Sequence, residues 1–206
     1  MTRLSRDEKK ALIIRAAAGV FAEKGFVKTL MAEVAAAAGI GKGTVYEYFR
    51  SKDDLFFAVY ESVIQESSGT ADAALARAGR KDAAGKLLAL NKAIAAWIAA
   101  HKHLYTLSLE FWAASISASP VMRRRFEQSV RDIYATFRQN VTGILQEGVV
   151  AGTFKKNINA GAVASAILGS WDGLGLQAWF DPAFDLEKTA EAYIRVLIRG
   201  LQDGEQ

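Results

Sequence analysis

Only two prolines, Pro120 and Pro182, stand in a chain of 206 residues, so little interrupts helix formation along it. Apolar residues recur at spacings of three and four, and no stretch sustains the alternation of a half-buried strand. An all-α fold of about nine helices is therefore expected. Over residues 6–24, Leu12, Ile13, Ala16, Ala17, Val20 and Phe21 form one face, and Gly25 is a natural stop. Short helices are expected at 31–38 and 42–49 on either side of Gly39. A longer one begins with Ser51 as cap and Asp54 at the capping-box position, with an end or break near Gly69. Further helices are expected near 83–100, 103–117, 121–150, 160–180 and 186–202. Ser119-Pro120, Asn159 and Asp185 supply start signals for the last three.

Charge divides the chain unevenly. Residues 1–52 carry ten Lys or Arg against five acids, while the remainder is nearly balanced, so the whole excess of +4 resides in the first quarter. Such asymmetry points to a polyanion facing that segment, with a solvated basic surface as the alternative. An apolar content of 51% supports a packed core and argues against disorder. The lack of cysteine excludes disulfides and thiolate metal sites. The opening "MTRLSRDEKKALIIRAAAGVF" is too charged for a signal peptide, which makes the cytoplasm the expected location. Residues 160–180 hold one formal charge, Asp172, but are rich in Ala, Gly and Ser. A buried interface helix is expected there rather than a membrane span.

The stretch "GIGKGT" at 39–44 has the look of a phosphate cradle, and the spacing rejects it. A P-loop needs G-x-x-x-x-G-K-[ST] after a strand, yet Gly43 follows Lys42 and Ala36 stands five before Gly41. The preceding "MAEVAAAA" is a helix former. Two short helices crossing at a wide angle fit better. Ala35 supplies the small contact, Gly39 the turn, and Val45 the apolar filler, at spacings of four and six residues. At 100° per residue, Val45 and Phe49 then point inward, with Lys42 nearer that side. Gly43, Thr44 and Glu47 face outward, flanked by Tyr46 and Tyr48. This low, hydroxyl-rich face suits a major groove, where Thr methyl and Tyr ring meet thymine methyls and hydroxyls reach base edges.

The run "IIRAAAGVFAEKGFVKTLMAEVAAAAGIGKGTVYEYFRSKDDLF", residues 13–56, resembles the tetracycline-repressor (TetR) family of transcriptional regulators. The resemblance lies in "A..VFAEKGF", "VAAAAGIGKGTVYEYF" and "SKDDL", in the family's order and spacing. It implies a helix-turn-helix DNA-binding domain over 1–50 and a ligand-binding and dimerisation domain over 51–206. It further implies a homodimer on a palindromic operator, with DNA contacted by Thr29, Lys42, Thr44, Tyr46, Tyr48 and Lys52, while Gly43 on the outward face lets the backbone approach DNA closely. Two departures stand out: Leu30 occupies the place of a second phosphate-binding Thr or Ser, and Gly41 replaces the usual Ser at the recognition-helix cap.

In the C-terminal part, Ile167, Trp171, Leu174 and Ala178 form one stripe. The last helix carries another, which includes Tyr193 and Leu197. Two such helices from each subunit would build a four-helix dimer interface, with ordinary intrachain core as the alternative. Gly161, Ser165, Gly169 and Gly173 recur every four residues and permit close approach of a helix. Among the central aromatics, Trp97, Tyr105, Phe111, Trp112, Tyr134 and Phe137, with Ser108 as polar handle, are candidate linings for a largely apolar small-molecule effector. Glu110 beside them is read as a surface carboxylate or the partner of a cationic ligand, and Arg123-Arg124-Arg125 as a solvated turn or a partner for acids. His101 and His103 face different directions on a helix and cannot share a metal. No catalytic signature, metal site or cofactor motif appears, so the chain is not expected to be an enzyme. The expected function is a repressor released from its operator by a small molecule. The alternative is a ligand-binding or protein-interaction module with a relict DNA-binding segment.

Overall fold

The computed structural model describes residues 4–79, 82–102, 107, 109, 110, 113 and 120–202. Among these residues every regular element is a helix. They are α1 (Arg6–Lys24), α2 (Met31–Ala37), α3 (Lys42–Tyr48), α4 (Lys52–Ala78), α5 (Ala83–Ala100), α6 (Pro120–Val150), α7 (Ala160–Phe180) and α8 (Leu186–Leu201). The helix expected at 103–117 is described only at Leu107, Leu109, Glu110 and Ala113, which are helical. Two compact units result, Met1–Gln65 with His103–Phe126, and Glu66–Lys102 with Glu127–Gln206.

Local signals start and stop the helices as their chemistry requires. At α1, Ser5 Oγ accepts the Glu8 N–H at 3.2 Å and the Glu8 carboxylate accepts the Ser5 N–H at 2.7 Å, a reciprocal capping box. These bonds to Ser5 hold the Glu8 carboxyl below its ordinary range. Gly25 ends the helix at φ +77°, and Gly39 makes the α2–α3 turn at φ +65°, conformations that carry little strain only for glycine. Ser51 accepts the Asp54 N–H, Asn159 the Ala162 N–H and Asp185 the Lys188 N–H, each at the expected cap. One expectation fails: α4 runs unbroken through Gly69. Ser67, Ala71, Ala74 and Ala78 bury one continuous face there. That packing outweighs the cost of about 1 kcal/mol for a single glycine in a helix interior.

In the first unit, α1 buries Ile13, Ala17 and Phe21, α2 buries Met31, Val34 and Ala35, and α3 buries Val45 ahead of a buried Phe49. An aromatic cluster closes this core. Phe21 meets Phe56 edge-on at 5.0 Å, and Phe26 lies 4.4 Å from Phe56.

The second unit is built around Leu87, Leu90 and Ile94 of α5, Val141, Ile144 and Leu145 of α6, Ile167, Leu168 and Trp171 of α7, and Ile194 of α8. Helix α5 is long and apolar enough to cross a bilayer, yet here its apolar face lies in this core, packed on α7 and α8. Two polar links cross the core. Asn91 is fully enclosed; its amide donates to the Ala190 carbonyl and its oxygen accepts the Trp171 indole N–H, both at 3.0 Å. Tyr134 donates its hydroxyl proton to Asp172 at 2.6 Å.

Burial pushes the Asp172 carboxyl above its ordinary range, against the opposing effect of the Tyr134 hydrogen bond. A raised folded-state value means that the native state holds the proton longer than the unfolded chain does. The associated stability is complete below the unfolded value of about 3.9 and is lost as pH rises through the folded one. Asp172→Asn should therefore melt higher than the wild type at pH 7, with the difference shrinking toward pH 4. Parallel melting curves at both pH values would contradict this account.

Candidate nucleic-acid interface

Helix α3 has too few residues to be stable alone, so its orientation comes from what it buries. Val45 and Phe49 anchor it. The opposite side is open: Lys42, Gly43, Tyr46 and Glu47 are exposed, and Thr44 and Tyr48 are partly so. Lys42, expected nearer the inward side, is thus on the surface. Its ammonium lies 5.9 Å from the centre of the Tyr46 ring. Gly41 caps α3 in an extended conformation, with its carbonyl accepting the Thr44 N–H at 3.0 Å. A Cβ at Gly43 would meet nothing within 4 Å, so the fold itself does not demand glycine there. Lys24 and Glu33 pair at 2.7 Å across α1 and α2. Glu33 also accepts the Leu30 N–H, and these bonds, Lys24 first, hold its carboxyl below the ordinary range.

Two residues expected on this face are turned inward. Thr29 is buried at 1% exposure, and its hydroxyl donates to the Gly25 carbonyl at 2.8 Å. Lys52 donates to the carbonyls of Phe26, Val27 and Thr29 at 2.8, 3.0 and 3.1 Å, and its ammonium sits 4.5 Å from the centre of the Phe26 ring. An ammonium has three protons, and all three are occupied. Lys52 thus ties the α1–α2 loop to the start of α4 instead of standing free for phosphate. Lys28 and Arg50, which sequence reasoning did not single out, are exposed cations on the same module. Their only signal in the sequence was the basic excess itself.

The expected effector linings are partly placed. Tyr105, Ser108, Phe111 and Trp112 lie outside the described residues. Trp97 stacks on His101 at 4.7 Å, and its indole N–H is buried with no hydrogen-bond partner among the described residues. Tyr134 is engaged with Asp172, and Phe137 meets Trp171 edge-on at 6.3 Å. An open groove of about 760 Å³, lined in part by Ala74, Arg77, Leu88, Lys92 and Arg195, includes none of these aromatics.

The stripes expected at a dimer interface lie largely against the chain's own interior. Ile167, Trp171 and Ala178 are buried within their own chain. Leu174, Tyr193 and Leu197 are partly buried and pack against that same interior. Helix α7 must cover both α5 and α8, and its bulky stripe does so. The exposed residues include Ala162, Ala166, Gly169, Leu176 and Phe180 on α7, and Ala192 and Val196 on α8. Phe180 is 70% exposed and Val196 66%.

Comparison with known proteins identifies the family. Residues 13–59 match the family model for bacterial regulatory proteins of the tetR family, and residues 83–202 the C-terminal model of BetI-type transcriptional repressors. The fatty acid metabolism regulator protein of Bacillus subtilis is 23% identical over 195 residues, covering 93% of this chain and 94% of its own. Among solved structures, a TetR transcription regulator from Haloarcula marismortui superposes with a TM-score of 0.81 at 17% identity, over 96% of this chain and all of that one. The FadR regulator of Bacillus subtilis in complex with stearoyl-CoA superposes with a TM-score of 0.75 at 22% identity, over 93% and 99%. Since the C-terminal model alone spans more than half its length, this chain belongs to the TetR family of bacterial transcriptional regulators.

Proposed function

We propose that this protein is a repressor that binds a palindromic operator as a homodimer and is released by a largely apolar small molecule. The observation that carries the reading is the split of α3 between a buried edge, Val45 and Phe49, and an exposed edge of Lys42, Gly43, Tyr46 and Glu47. Tyr46, Thr44 and Tyr48 read base edges and thymine methyls, and Gly43 keeps the helix close to the groove floor. Lys42, Lys28 and Arg50 supply phosphate contacts in place of Thr29 and Lys52. Residues 1–50 read DNA, and 51–206 hold the effector and the second subunit. The bacterial cytoplasm, where operator and effector meet, is the place of action.

Dimerisation uses the outward faces of α7 and α8. A Cβ at Gly169 or Gly173 would meet nothing within 4 Å among the described residues, which leaves this side of α7 open to a partner helix. Leu176, Phe180 and Val196 are the apolar groups such a partner would cover. For the effector, the Trp97 N–H, buried and without a partner among the described residues, is a candidate donor, and a buried donor left unpaired costs about 1–3 kcal/mol. A ligand acceptor reaching it recovers that cost. The stearoyl-CoA held by the Bacillus subtilis FadR structure makes a long-chain acyl-CoA the first effector to titrate. The effector acts only through its different affinities for the DNA-bound and free shapes of the dimer.

Selection of bound fragments from genomic DNA tests the reading, and failure to enrich any palindrome contradicts it. On the selected duplex, Tyr46→Ala should cost roughly 1–3 kcal/mol of specific affinity with an unchanged melting temperature. Undiminished affinity removes Tyr46 from the readout face. Lys52→Ala should lower both the melting temperature and DNA affinity while leaving the salt slope intact. A slope flatter by about one unit would instead identify Lys52 as a phosphate contact.

A further inference from the structure

Glu110 has a role that neither a surface carboxylate nor a ligand partner describes. One of its oxygens accepts the backbone N–H of Phe26, across 84 residues of sequence. Its other oxygen stands 2.5 Å from where a Cβ on residue 25 would project. Gly25 is therefore required by its positive φ, and a Cβ there would also press on the end of the Glu110 side chain. The peptide units around Phe26 are gripped from two sides. Glu110 holds the N–H, while Lys52 holds the carbonyls of Phe26, Val27 and Thr29. The Phe26 ring is wedged between Phe56 and the Lys52 ammonium. A second tie joins the same stretch to the same module. Arg125 at the start of α6 bonds Asp54 of α4 at 3.3 Å, with its guanidinium 3.9 Å from the centre of the Phe57 ring. The stretch His103–Phe126 thus belongs to one compact unit with α1–α3, although the sequence between 83 and 202 matches the C-terminal repressor model.

We infer that Glu110 is a positioning residue that couples the helical stretch around it to the DNA-reading module, by fixing the α1–α2 loop through the Phe26 N–H. The inference rests on the reading of α3 as the DNA-reading helix. The loop leads directly into α2, whose first turn begins at Leu30 and Met31, and α2 carries α3 across the Gly39 turn. Any displacement of the Glu110 stretch therefore pulls on the element that aims α3. A carboxylate acceptor suits this task, since a charge-assisted hydrogen bond is about twice as strong as a neutral one and depends sharply on distance. Coupling between sites is reciprocal, so DNA bound at α3 must be felt at Glu110.

That reciprocity supplies the test, without need of the effector. Amide exchange is measured on the full-length wild type, Glu110→Ala and Glu110→Gln, free and saturated with the selected duplex. Saturation is verified by anisotropy, and melting temperatures are recorded alongside. In the wild type, the duplex should slow exchange at Phe26 and at Leu107, Leu109, Glu110 and Ala113 by about tenfold, equivalent to about 1.4 kcal/mol of coupling. In Glu110→Ala the duplex should still bind, Phe26 should lose protection, and the response around residue 110 should vanish. Glu110→Gln keeps an acceptor oxygen and should retain part of the response. It also carries the comparison if the alanine variant does not fold. An undiminished response in both variants, or none in the wild type with duplex bound, overturns the coupling role. Recovery of no binding duplex overturns the DNA-reading assignment of α3, and this inference with it.

Discussion

The arrangement of the DNA-reading module hangs on Phe26. Its N–H is held by Glu110, its carbonyl by Lys52, and its ring by Phe21, Phe56 and the Lys52 ammonium. A loop between two helices ordinarily leaves backbone groups to water. Here a charged donor and a charged acceptor, each from a distant part of the chain, satisfy both sides of one residue. The loop thereby becomes a fixed joint between α1, α2 and the start of α4, and the short α3 inherits its orientation from that joint.

This joint also changes what the module offers to DNA. Lys52 and the Thr29 hydroxyl are consumed inside it. Lys28, Lys42 and Arg50 remain exposed cations on the module, and Tyr46, Tyr48 and Thr44 of α3 stay wholly or partly open. Leu30, 64% exposed at the entry to α2, has no polar side-chain group, and its N–H is already accepted by Glu33.

Much of the fold was legible because helices announce themselves locally. The α1 face, the Gly39 turn, and the caps at Ser51, Asn159 and Asp185 all depend on residues within a few positions of one another. What escaped depends on distance in sequence. Nothing near Lys52 marks it as a partner for carbonyls more than twenty residues earlier, and nothing near Glu110 points to Phe26. Helix α7 shows the same limit. It carries a bulky stripe and a small-residue stripe, and the pattern alone does not say which faces the chain's own core. The bulky stripe does, because α5 and α8 need cover, and Ile167, Trp171 and Ala178 are buried in the chain itself. Gly69 misled in the opposite way: a local breaker was overruled by the alanine face of α4.

The central claim is that the exposed edge of α3 enters the major groove, once from each subunit of a dimer. Methylation interference at guanine N7, a major-groove atom, on the selected duplex tests it most directly. The account predicts two interference patches on one face of the duplex, centred about one helical turn, roughly 34–36 Å, apart and related by the palindrome. Interference confined to minor-groove adenine N3, or a single unpaired patch, would contradict it.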